Sequence, residues 1–216
     1  MDLRMHLPRV APLDTFLKRC NEDEDFMLDL VEAMLERYCR DDGRALTLAE
    51  LLTSANSAYA VKASWDGLEE RVVPGVKELV REAVDEAGGS AGAHLTNAWN
   101  EAYGRSADPV KAYSEAIKAV EAAFAGRVSP QNGKQTLGTM IRDISAKPSK
   151  WRFELASSTD GVETVVKMMR LLWVGQTSRH GGLSTTRDET LDEARAAVHL
   201  AATLVQYGVS GAFDLI

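Results

Sequence analysis

Five side chains able to take part in chemistry follow one another at Gln176, Thr177, Ser178, Arg179 and His180. An imidazole can exchange a proton near neutral pH. A guanidinium can hold a phosphate oxygen, and an amide and two hydroxyls can donate or accept beside them. The same residues also suit a plainer role, a polar helix end with a cationic last turn. What precedes them must position them. Val162, Val165, Val166, Met169, Leu172 and Trp173 recur at helical spacing, so a helix with one buried face runs into the cluster. Gly175 interrupts that pattern, and Gly181-Gly182 frees the backbone to turn away.

A second group of residues is defined by charge. From residue 1 to 90 there are 11 Lys and Arg against 19 Asp and Glu, a balance of -8; from 91 to 216 there are 14 against 13, a balance of +1. Within the second part, Arg127, Lys134, Arg142, Lys147, Lys150 and Arg152 face a single acid, Asp143. A basic stretch of this kind can follow a phosphate backbone, and it can equally be a solvated connector. An acidic first half joined to a neutral half with a basic segment suggests two modules, and the acidic one offers a surface for a protein partner.

Other chemistries find no support. The chain has no glycine-rich phosphate loop, no His-Glu-x-x-His and no Cys-x-x-Cys. His6, His94, His180 and His199 are too scattered to argue for a metal site, and no cofactor is expected. His94 reads as a local polar contact and His199 as a structural or surface histidine. Cys20 and Cys39 have no metal-ligand spacing, and no disulfide framework is expected. With 45% hydrophobic and 26% charged residues the chain can bury a core. It has no apolar run approaching the roughly 18 residues of a membrane span, and its first ten residues do not read as a secretory signal. The expectation is a cytoplasmic protein with no membrane association.

The elements expected around these residues are mostly helical. Helices are predicted over 14–20 and 23–39, and a capping box at Thr47-Leu-Ala-Glu50 is expected to open another. Residues 59–73 break the helical pattern, and Asp66-Gly67 marks a small β-hairpin. Pro74 suits the start of the next helix, and Gly88-Gly89-Ser90 marks the expected module boundary, giving 1–89 and 90–216. Beyond it, helices are predicted over 91–103, from the Asp108-Pro109 cap to Phe124, and over 136–146. A linker follows around Pro148 and Trp151. A second capping box at Thr186-Arg-Asp-Glu189 is expected to open the last helix. The fold class is mainly α, with four main helices of the second half forming a bundle.

The segments AWNEAYGRSADPVKAYSEAIKAVEAAF, SPQNGKQTLGTMI, LLWVGQTSRHGG and TLDEARAAVHLAATLV together resemble the C-terminal module of abortive-infection proteins, within the HEPN superfamily. The resemblance covers residues 91 to 210, with AYSEAIKAVE like the family's first core helix and RHGG at its His-Gly turn. It implies a four-helix bundle that dimerises and, in many members, metal-independent cleavage of RNA in phage defence. His180 then matches the family histidine as acid/base, Gln176 the polar position, and Arg179 a phosphate contact. Arg127, Lys134, Lys147, Lys150 and Arg152 would attract RNA. The family's arginine, a few residues ahead of the histidine, has no counterpart: Trp173, Val174 and Gly175 stand there, Arg170 is too far upstream, and Arg179 directly precedes His180. Either Arg179 supplies the charge from a rearranged turn, or catalysis has been lost and the fold kept. A non-catalytic dimerisation and partner-binding module is the alternative function.

Overall fold

The computed structural model describes residues 13–38, 43–131, 133–156, 158–179 and 186–216. The chain divides into two compact units, Met1–Arg71 and Val72–Ile216, each with its own hydrophobic core.

The first unit is made of α1 (Leu13–Glu22), α2 (Glu24–Tyr38), α3 (Arg44–Ser54), β1 (Tyr59–Val61) and β2 (Leu68–Glu70). Its core is small, with Leu28, Leu35, Ala45 and Leu68 at the centre. α1 buries none of its residues fully, and Phe16 meets Phe26 edge-to-face at 5.7 Å. The hairpin forms as expected: β1 and β2 pair antiparallel with Tyr59 opposite Glu70 and Val61 opposite Leu68. Its reversal uses Trp65, which takes a left-handed φ of 62°. The capping box expected at Thr47 does not form. α3 starts earlier, on Gly43, whose φ of 75° suits a glycine. Thr47 is thus inside the helix, with its hydroxyl donating to the Gly43 carbonyl at 3.3 Å.

The second unit contains α4 (Pro74–Ala87), α5 (Gly89–Tyr103), α6 (Pro109–Val128), α7 (Leu137–Ala146), α8 (Thr159–Gly175) and α9 (Leu191–Val209). A 3-10 turn (Pro148–Lys150) leads into β3 (Trp151–Phe153), and β4 (Phe213–Leu215) ends the chain. α6 packs between α5 and α9, α4 lies on α5 and α9, and α7 packs on α6 and α8. Alanines make this closeness possible: Ala98 and Ala102 on α5, Ala112, Ala116 and Ala119 on α6, and Ala194 and Ala201 on α9 are wholly buried. Small side chains at such seams let helix axes approach to the short end of the usual range. Phe124, Met140, Met169, Leu172 and Leu204 fill the remaining space.

The boundary therefore falls after Arg71 rather than at Gly88-Gly89-Ser90. The glycine pair is a tight corner, not a linker: both residues take positive φ, 54° and 44°, and turn α4 directly into α5. The expected linker at Trp151 is also replaced. β3 and β4 pair antiparallel, with Arg152 opposite Asp214 and Phe153 opposite Phe213. Trp151 stacks on Phe213 at 5.4 Å, so the pair of strands is pinned to the core by aromatic contact.

Candidate nucleic-acid interface and the turn after α8

α8 carries its apolar residues inward as the periodicity predicts, with Val162, Val165, Val166, Met169 and Leu172 buried. Its last residue, Gly175, lies close against Tyr113 of α6. A side-chain carbon at residue 175 would overlap the Tyr113 hydroxyl, so the helices approach only over a hydrogen atom. Gln176 follows in extended backbone, half-buried. The Ser178 amide donates to Glu189 Oε1 at 2.8 Å, and the Thr177 hydroxyl donates to the Arg187 carbonyl at 2.9 Å.

Arg179 folds back over the helix end. Its Nη1 donates to the Trp173 carbonyl at 2.7 Å, and its guanidinium lies over the Trp173 ring, 3.6 Å from the centroid. The cation thus satisfies one of the carbonyls left open at a helix C-terminus and stacks on an aromatic face. Burial lowers its pKa below the ordinary arginine value, and the group remains charged at any physiological pH. His180, the expected acid/base, lies outside the described residues, as do Gly181 and Gly182.

Glu189 was expected to complete a capping box with Thr186. Instead it is 4% exposed and ties the turn together, and the capping box sits one helical turn later. There Thr190 accepts from the Glu193 amide at 3.3 Å, while the Glu193 carboxylate takes the Thr190 amide at 2.8 Å. Hydrogen bonds from Arg187 and from the Thr190 amide hold the Glu193 carboxyl down at about 2. Glu189 Oε2 is buried with no hydrogen-bond partner among the described residues. Burial first, and the Glu189 and Glu193 carboxylates second, push the Tyr113 phenol up to about 12.

The basic segment resolves into separate places. Arg127 at the end of α6, Lys147 after α7 and Lys150 before β3 line one depression of about 380 Å3, floored by Trp151 and Val128. Arg127 Nε is paired with Asp214 at 3.3 Å. Lys147 and Lys150 are exposed and make no ion pair among the described residues. Asp143 is the acid on the same wall, and it also lies 3.3 Å from Arg142. Arg152 points away, because strand alternation buries its neighbours Trp151 and Phe153; it pairs with Glu154 and lines a different hollow. Lys134 stands in the α6–α7 loop, outside the depression. Three of the five expected RNA-contacting residues are thus brought together.

A cluster that the sequence did not reveal joins α5 to α6. His94 Nδ1 and Glu115 Oε2 are 2.7 Å apart, and Lys118 donates to Glu115 Oε1 at 2.7 Å. Burial opposes the charge on Glu115, but the hydrogen bonds from Lys118 and His94 keep its carboxyl below the ordinary range. Further along α6, Glu121 accepts the first amide of α7, from Leu137, at 2.6 Å, and burial raises its pKa. Glu115, Lys118 and Glu121 are spaced three residues apart along α6. That His94 reaches Glu115 depends on how two helices pack. Among the described residues no group of three or more His, Cys, Asp or Glu is arranged to hold a metal, and no helix is long and apolar enough to cross a membrane.

Comparison with known proteins finds no matching family model, no matching curated protein and no matching solved structure.

Proposed function

We propose that this chain is a HEPN-like, defence-type protein whose second unit binds RNA, and that the turn after α8 serves to hold the helix end rather than to cleave. The observation that carries the reading is the depression in which Arg127, Lys147 and Lys150 converge, with two of the three cations unpaired among the described residues. Cations gathered in a concave site attract a phosphate backbone through release of its counterions, without reading bases. The buried Trp151 floor offers shape but little face for stacking, which again favours contact through phosphates. The use of Arg179 on Trp173 supports a degenerate catalytic centre, since the one arginine beside His180 is already committed.

A partner-binding reading is favoured by a different feature. Leu171 and Val174 lie three residues apart on α8 and are 68% and 65% exposed, an apolar pair of the kind that meets its own copy in a symmetric dimer.

The test of RNA binding is fluorescence anisotropy with labelled RNA over a salt series, without added metal. Wild-type protein should bind, with affinity falling as salt rises. Lys147→Gln with Lys150→Gln should weaken binding and flatten the salt dependence by about 0.7 in log–log slope per lysine for a single strand. Absence of binding to any RNA would end this reading in favour of the dimerisation and partner-binding module. Cleavage of the probe, lost in His180→Ala, would replace it with a metal-independent ribonuclease.

A further inference from the structure

The segment from Ile144 to Trp151 lines two depressions at once. Ala146, Lys147, Lys150 and Trp151 face the basic depression already described. Ile144, Ser145 and Pro148 face a second one, of about 220 Å3, whose other wall is α8. The end of α7 and the 3-10 turn therefore form a ridge with a hollow on either side. On the α8 wall stand Lys167 and Arg170, three residues apart and so on the same side of the helix. Both are exposed, and neither makes an ion pair among the described residues. Glu163 is the one acid of that wall. The pattern of the first hollow is thus repeated in the second: free cations above an apolar floor, here Ile144, Val162 and Val166.

We propose that a single-stranded segment of RNA crosses both hollows, turning over the Pro148 ridge, with Lys167 and Arg170 as a second phosphate-binding point. This rests on the RNA-binding reading and adds the route and the class of nucleic acid. The reason for a single strand is stiffness. A nucleic-acid duplex is close to a rigid rod over such lengths, with a persistence length of about 150 base pairs for DNA. A rod meets the ridge or one hollow, whereas a single strand bends into both. Contact through phosphates on both sides also implies little preference among base sequences.

The experiment uses the full chain, labelled oligouridylate long enough to span both hollows, and the same strand annealed to oligoadenylate. Anisotropy is measured over a salt series for wild type, for Lys167→Gln/Arg170→Gln, and for Lys147→Gln/Lys150→Gln. All four substitutions are at exposed positions, and matching circular dichroism and unfolding midpoints confirm that the fold is kept. The expected result is that each pair lowers affinity several-fold and reduces the salt slope by about 1.4, two contacts' worth for a single strand. The duplex should bind more weakly than the single strand and should be insensitive to Lys167 and Arg170. If the Lys147/Lys150 variant loses affinity while the Lys167/Arg170 variant binds like wild type, the second contact point is overturned and the basic depression stands. Duplex bound as tightly as single strand, with equal sensitivity to both pairs, also overturns the proposal. Wild-type protein that binds no RNA removes the underlying reading itself.

Discussion

Replacing Gly175 by alanine puts a methyl group against the hydroxyl of Tyr113. The added carbon would overlap the phenolic oxygen but would sit 3.4 Å from Tyr113 Cζ, an ordinary contact distance. The conflict is therefore with one atom. Alanine also favours a helix over glycine by up to about 1 kcal/mol, a gain reduced at the last helical residue. Overpacking a well-filled interior costs about 1–3 kcal/mol, so Gly175→Ala should destabilise by about 1–2 kcal/mol. Tyr113→Phe removes the obstructing oxygen. That oxygen makes no hydrogen bond among the described residues, so its loss should be close to neutral. The double variant should then regain most of the stability, with a coupling of about 1–2 kcal/mol between the two sites. Urea unfolding followed by tryptophan fluorescence is the assay, since Trp99, Trp151 and Trp173 all lie in the second unit and only Trp65 in the first. Additivity of the two changes within about 0.5 kcal/mol would refute the reasoning, as would a Gly175→Ala protein more stable than wild type.

Three further outcomes are expected. Arg179→Ala should cost about 1–2 kcal/mol of stability through loss of the Trp173 stack and carbonyl contact, measured by unfolding, while RNA affinity stays within twofold of wild type; Arg179→Lys should restore only part, because an ammonium has no plane to stack. Thr190→Ala should destabilise α9 by about 1 kcal/mol by removing its N-cap acceptor, read as a lower unfolding midpoint. Burial pushes the His199 imidazole below its ordinary value, with Nε2 held 2.7 Å from the Tyr103 hydroxyl. The unfolded chain then takes up the proton first, so stability is full above about pH 6.5 and is lost as pH falls through that value toward the lower folded one. His199→Gln should flatten this loss in midpoints measured from about pH 7.5 down to about pH 5; an unchanged slope would show that other groups cause it.

Much of the helical framework was legible because its signals are local. Asp108 caps α6 by accepting the Lys111 amide at 2.9 Å, as Asp-Pro before an amphipathic run predicts. Thr136 caps α7 in the same way. The apolar stripe of α8 and the hairpin at 59–61 and 68–70 follow from periods of 3.6 and 2. Choices between neighbouring candidates were less legible. The box expected at Thr186-x-x-Glu189 forms instead at Thr190-x-x-Glu193, because Glu189 is drawn into the turn by Ser178 and Thr177.

Local sequence signals place most helices, the faces they bury and the gathering of cations between residues 127 and 152. Each of these depends on residues within a few positions of one another. Long-range packing makes Trp151–Phe153 a strand, because its partner Phe213–Leu215 lies some sixty residues away and three-residue strands have no pattern of their own. It also decided which cations face outward together. Lys147 and Lys150 share a hollow with Arg127, and Lys167 and Arg170 stand across the Pro148 ridge on the α8 wall, whereas Arg152 is turned away by the strand and Arg179 is laid on Trp173. A charge is fixed by residue type, but its availability depends on what the packed chain brings within a few ångströms of it.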